Sequence, residues 1–165
     1  MYEMKLKVWD KKLQKMQEPI EMKKLLHYLW FQPTPNATAY TEIKDHFSDV
    51  VWLKNTSLKD KNDQEIYDGD IVKITGEQFE SIFYVSWGSY ADGEYVDDIQ
   101  CWMVIGMIDV VVKGKTTKHK RSFSISDVIN DKGCNTVEVI GNIFENVQLL
   151  PLAIQTDCIL QRDTL

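Results

Sequence analysis

Apolar and charged residues alternate at the start of the chain: Leu6 and Val8 stand between Lys5 and Lys7. That period of two predicts a half-buried strand, followed by a polar turn at Asp10–Lys12 and a returning strand. The period then changes. Met22, Leu25, Leu26, Leu29 and Trp30 recur at steps of three and four, which predicts an amphipathic helix over roughly residues 20–31. Pro19 suits its first turn, and Pro33 and Pro35 end it. An irregular connection with no clear period follows. From Val50 the pattern is strand-like again: "VVWL" is a short strand, "LKDKND" a turn or loop, and "DIVKI" a strand launched from Asp68–Gly69. "FESIFYVSW" sets Phe79, Phe83, Val85 and Trp87 on one face. Its second face, with Ile82 and Tyr84, is not cleanly polar. "CWMVIGMIDVVV" reads as one bent strand or two, buried on both faces around Gly106, and "TVEVIGNIF" as a strand interrupted at Gly141. Many short strands with Gly breaks predict a mainly β fold, a small barrel- or sandwich-like sheet with one accessory helix near residues 20–31.

At 165 residues the chain suits a single domain over 1–165 with a core of its own. The tail 151–165 stays rather apolar, so it either docks on its own sheet or forms a C-terminal arm that packs on a neighbouring subunit. An exposed strand edge would favour a homo-oligomer.

The net charge of −6 argues against general attraction to nucleic acid or to anionic membranes. The charge is uneven. Residues 1–30 carry seven Lys and four acids, residues 40–100 five Lys and fourteen acids, and residues 101–165 seven of each sign. Three cysteines, Cys101, Cys134 and Cys158, form no CxxC and leave an odd thiol, which fits a reducing compartment. The longest apolar run, Cys101–Ile108, is too short to span a bilayer, and no signal-peptide pattern opens the chain. A soluble cytoplasmic protein with no membrane partner is expected.

Three segments in order, "KLKVWDKKLQKM", "NTSLKDKNDQEIYDGDIVK" and "VEVIGNIFENVQLL", resemble the YopX family. The residues carrying the resemblance are Trp9, Leu58, Asp60, Asp68, Gly69, Asp70, Gly141 and Asn142. The family pattern has Gly where this chain has Ser57 and Asp63, and Pro where it has Val147. The resemblance implies a mainly β fold, a phage or prophage origin and a bacterial cytoplasm. It supplies no catalytic residues.

Candidate chemistry is thin. An EF-hand frame beginning at Asp60 fails where it is most constrained, with Glu65 at the turn position and Ile71 at the last ligand position. Asp60, Asp63, Glu65, Asp68 and Asp70 are therefore expected to cap turns. The loop with Asp92, Glu94, Asp97 and Asp98 has no partner His or buried flank; it is the place to look for a metal, although none is expected. His27, His46 and His119 show no HxH or HExxH spacing, and Cys134 has no base that can be named. No cofactor is expected.

The sharpest feature is "KGKTTKHKRSF", where Lys113, Lys115, Lys118, Lys120 and Arg121 place five positive charges in nine residues. Read as a loop, it could grip phosphates, with Phe123, Trp102 or Trp87 for base stacking. The chain's overall acidity favours the plainer reading, a solvated hairpin tip. The sequence thus favours a non-enzymatic binding or assembly module for a host or phage protein. Nucleic-acid binding through residues 113–121 is the alternative, and a metal-dependent hydrolase using residues 92–98 a third reading.

Overall fold

The structure is a computed structural model, and it describes residues 5–21, 49–77, 79–90, 99–130 and 136–164. Among the described residues nine strands and two helices follow one another: β1 Lys5–Asp10, β2 Lys15–Glu21, β3 Val50–Lys59, β4 Glu65–Tyr67, β5 Asp70–Thr75, β6 Glu80–Tyr90, β7 Ile99–Val112, β8 Lys115–Ser124, α1 Ile125–Asn130, β9 Thr136–Asn142 and α2 Leu152–Thr164, with a 3-10 turn at Val147–Leu149. The mainly β expectation holds. One sheet runs β2-β1-β3-β4 and the other β8-β7-β6-β5-β9. The chain divides into two compact units, Met1–Asn55 and Thr56–Leu165.

In the first unit the expected hairpin is present, and Asp10 makes its turn. The Asp10 Oδ1 accepts hydrogen bonds from the backbone N–H groups of Lys12 (2.9 Å) and Leu13 (2.8 Å). The burial pattern departs from strict alternation: Leu6 and Trp9 are buried, while Val8 is only half-buried. The cause is a register shift between Leu6 and Val8 in the pairing with β2. Ile20 and Glu21 close β2, so the amphipathic helix expected from residue 20 cannot begin before residue 22. Residues 22–31, with Trp30, lie outside the described residues.

The second unit is built on the five-stranded antiparallel sheet, and both of its faces are covered. On one face Val72, Ile74, Phe83, Val85, Val104 and Val137 form a core with Ile66 and with Ile125 of α1. Phe123 packs edge-on against Phe83, ring centroids 6.2 Å apart. The other face carries Tyr84 and meets α2, whose Ile154 and Cys158 are buried. This second cover explains why that face of β6 is not cleanly polar. The segment that was open in sequence to docking or to an arm is helical over residues 152–164. Its Asp157 pairs with Lys120 of β8. The stretch "CWMVIGMIDVVV" lies within one continuous strand of 14 residues, Ile99–Val112.

Strand β3 runs past "VVWL" to Lys59, so the expected loop narrows to residues 60–64. Thr56 holds this stretch: its Oγ1 donates to the carbonyl of Ile66 (2.8 Å). Ser57 and Asp63, where the family pattern has Gly, both sit at positive φ, 69° and 62°. A left-handed conformation costs a non-glycine residue about 1–2 kcal/mol, less for Asp, while Gly gives back part of the gain in unfolded-chain entropy. Asp63 contributes only an exposed pair with Lys59 at 3.8 Å. Asp63→Gly is therefore expected to raise stability by about 0.5 kcal/mol, read as a higher urea midpoint at unchanged slope. A lowered midpoint would contradict the strain argument.

Candidate binding surface

The Asp-rich opening of β5 is structural. Asp60 is buried, and its Oδ1 accepts from the N–H groups of Asn62 (2.7 Å) and Gln64 (2.9 Å), while its Oδ2 accepts from that of Val139 (3.0 Å). Burial pushes this carboxyl up, but the backbone hydrogen bonds from Val139, Asn62 and Gln64 outweigh it and hold the group below its ordinary value. The neighbouring Lys61 N–H donates to the Val137 carbonyl (2.8 Å), so the loop also covers the outer edge of β9. Asp70 turns the chain into β5, its Oδ2 accepting from the N–H of Tyr67 (2.8 Å) around Gly69 at φ 76°. Glu65 accepts from the Tyr67 hydroxyl (2.7 Å).

The strand pairing then joins the second and third family segments. Asp70 stands opposite Asn142 and Ile71 opposite Gly141, and Ile143 N–H donates to the Gly69 carbonyl (2.8 Å). Asn142 Oδ1 accepts from Phe144 (3.0 Å) and Glu145 (2.9 Å), closing the turn after β9. A Cβ on Gly141 would lie 2.6 Å from the Asn146 Oδ1. Leu58 packs on the same core, and Trp9 is buried in the first unit. All eight motif residues thus shape turns, edges or core.

The basic segment has a different form from the expected loop. Only Lys113 and Gly114 form the tip, at φ 51° and 75°, the signs of a type I′ hairpin turn. Lys115, Lys118, Lys120 and Arg121 lie on β8, which pairs with β7 from Val112↔Lys115 to Met103↔Ser124. Backbone pairing satisfies a polar stretch as readily as an apolar one, and the β-branched Thr116 and Thr117 suit a strand. Pairing of β7 with β6 ends at Gly106. Beyond it, Met107–Val112 and Lys115–Lys120 form a two-stranded ribbon, and β8 is an edge strand.

Strand alternation divides the cations. Lys118 and Lys120 share one face, the first beside Asp109 at 3.5 Å and the second paired with Asp157. Lys115 and Arg121 share the other with His119, whose Nε2 is 2.9 Å from the Thr117 Oγ1. Lys113, Lys115 and Arg121 have no ion pair among the described residues. Phe123, expected as a stacking surface, is a half-buried core residue and not free to stack. Trp87 and Trp102 form a T-shaped pair at 5.0 Å, with Trp87 50% exposed. Their positions on β6 and β7 lie at the opposite end of the sheet from the ribbon.

A cleft of ≈ 1170 Å³ opens between the ribbon, the start of β6 and α1. Sequence reasoning missed it because it missed α1. The available signal was Ser124-Ile125-Ser126-Asp127, a helix-start pattern in which the Ser124 hydroxyl accepts a long bond from the Asp127 N–H (3.4 Å). The helix α2 could have been suspected from Ile154 and Cys158, four residues apart.

Burial pushes the Cys158 thiol up to about 11, with nearby Asp157 adding to the effect. Cys101 is also pushed up by burial. Neither environment activates a thiolate. Cys134, His27, His46 and the acidic loop at 92–98 lie outside the described residues. Among the described residues no group of three His, Cys, Asp or Glu could hold a metal, and no helix is long and apolar enough to cross a membrane.

These features define a mainly β protein of two sheets, with a cationic ribbon extending from the larger one. The chain belongs to the YopX family: the family model described as YopX protein matches residues 5–151. Among solved structures, the crystal structure of protein EF1440 from Enterococcus faecalis is similar at 20% identity. The match covers 90% of this chain and 98% of that one, with a TM-score of 0.41. No curated protein matches.

Proposed function

We propose that this YopX protein is a non-enzymatic binding module, encoded by a phage or prophage and working in a bacterial cytoplasm, that engages a protein partner through the β7–β8 ribbon. One observation supports the reading above others: six residue pairs stand beyond the last β6 contact, with Val111 67% exposed near the tip. An edge strand with unpaired backbone groups is a ready template for a partner strand. The same edge supports a homo-oligomer, which light scattering would test; a monomer at working concentration would end that part.

The broader reading is tested by shortening the ribbon. Replacing Asp109–Lys118 with Asn-Gly leaves Ile108 and His119 flanking a two-residue I′ turn, in their existing register. Cross-linking in cells that make the protein is expected to lose its specific partner in this variant, while the circular dichroism spectrum stays β-like. An unchanged set of cross-linked proteins would refute the reading.

Nucleic acid is the second reading, favoured by the charge on the same element, since a two-stranded ribbon fits the DNA major groove. Its carriers would be Lys113, Lys115 and Arg121, because Lys118 and Lys120 already face Asp109 and Asp157. Three phosphate contacts predict a log–log salt slope of about −2.7 on duplex DNA. Binding should vanish when all three residues are changed to Gln. A flat salt profile would end this reading.

A further inference from the structure

We propose that the outer edge of β8 takes an acidic, extended segment of a partner protein as an added antiparallel strand. The inference rests on the protein-binding reading and names the chemistry of the partner. The hairpin turn fixes which backbone groups are on offer. In the I′ turn at Lys113–Gly114 the Lys115 N–H is directed at the Val112 carbonyl, across the closing pair of the ladder. Alternation along the strand then turns the N–H and C=O groups of Thr116, Lys118 and Lys120 outward. Among the described residues no strand pairs with that edge, and every residue from Lys115 to Arg121 is exposed.

Charge decides what kind of strand fits. Strand β8 carries Lys115, Lys118, Lys120 and Arg121 and no acid. On one face Lys118 and Lys120 already meet Asp109 and Asp157. On the other face Lys115 and Arg121 have no ion pair among the described residues, and the register sets no acid opposite either. Lys115 stands opposite Val112, and Arg121 opposite Gly106. In an antiparallel addition these two residues fall in the non-hydrogen-bonded pairs, where side chains stand closest. Carboxylates opposite them form favourable cross-strand pairs. The segment that fits therefore carries Asp or Glu at alternate positions, with free backbone N–H groups between them.

A second copy fits this edge less well. Two β8 strands paired antiparallel about Lys118 would set Lys118 against Lys118 and Lys115 against Arg121, like charges that destabilise a pair. A phosphate backbone meets the cations but offers no donors to the outward carbonyls.

The test uses a fluorescein-labelled peptide with Glu at alternate positions among Thr and Val, read by anisotropy at physiological salt. Its comparators are the Lys counterpart and the same acidic peptide N-methylated at the residues between the glutamates. The expected result is binding of the unmethylated acidic peptide alone, weakened about threefold or more by the Lys115→Gln/Arg121→Gln pair. Lys118→Pro should abolish it, because the N–H removed points away from β7 and an edge strand tolerates Pro there. Circular dichroism would verify that fold, and the N-methylated comparator needs no change to the protein at all. Three results would overturn the inference: no binding of the acidic peptide, whether or not duplex DNA binds; binding that survives N-methylation; or a dimer in light scattering that Lys118→Pro breaks, the mark of a second copy on the edge. A shortened hairpin that still loses its cross-linked partner would then keep the ribbon reading and refute only the acidic strand.

Discussion

Asp60→Ala is expected to destabilise the second unit by about 3 kcal/mol, more than any other loop substitution. Three backbone N–H groups lose their acceptor at once, those of Asn62, Gln64 and Val139. Hydrogen bonds to a charged group contribute about 1.5–3 kcal/mol each, and those near the surface find water in partial compensation. Asp60→Asn should cost about half as much, because its Oδ1 keeps two of the three bonds while an N–H₂ group faces the Val139 donor. The pH dependence has a definite sign. The folded-state pKa is lowered, so the carboxylate's contribution is present above the unfolded value, about 3.9. It is lost as pH falls through the folded value. The gap between wild type and Asp60→Asn in urea unfolding should therefore be constant from pH 5 to 8 and shrink below about pH 4. A gap that stays constant into acid would show that Asp60 acts through shape and not charge.

Gly106→Ala should cost about 2–3 kcal/mol, with a fall in melting temperature of about 10 °C for a unit of this size. A Cβ on Gly106 would lie 2.5 Å from the Phe83 Cδ1 and 2.7 Å from the Ile82 carbonyl oxygen. The ring belongs to the core and the oxygen to the β6 backbone, so neither can move without disturbing the β6–β7 ladder. Gly114→Ala is the control. Its Cβ would meet nothing within 4 Å, and only the positive φ of 75° resists it, a cost of about 1 kcal/mol. Equal melting temperatures for the two variants would show that the sheet yields at Gly106.

The elements legible in the sequence were those with a sharp local signature. The first hairpin, the Asp68–Gly69 entry to β5 and the β6 alternation needed only period-two patterns and turn residues, whereas the apolar run of β7 left one bent strand or two open. The motif carboxylates were read as turn caps, and Asp60 and Asp70 cap turns. Three things were not legible. The basic stretch looked like a loop because its charges hide a strand whose polarity is allowed by exposure on both faces of a ribbon. Ile82 and Tyr84 signalled a second apolar cover, but only the fold shows that α2 supplies it, from seventy residues downstream. The cleft depends on α1, a helix of six residues, too short to leave a periodic trace.

The bond from Val139 to Asp60 spans 79 positions, and this sets a clock on synthesis. Strand β5 is made early, yet its neighbour β9 and the lock at Asp60 arrive only when residue 139 has left the ribosome. At about 5–20 residues per second the interval is about 4–16 s. Through that time one edge of β5, with Ile71 on one face and Val72 and Ile74 on the other, has no strand beside it. The nascent chain is therefore most exposed to chaperones and to mispairing in the window between β5 and β9, and slower decoding of that stretch would lengthen the hazard without altering the finished molecule.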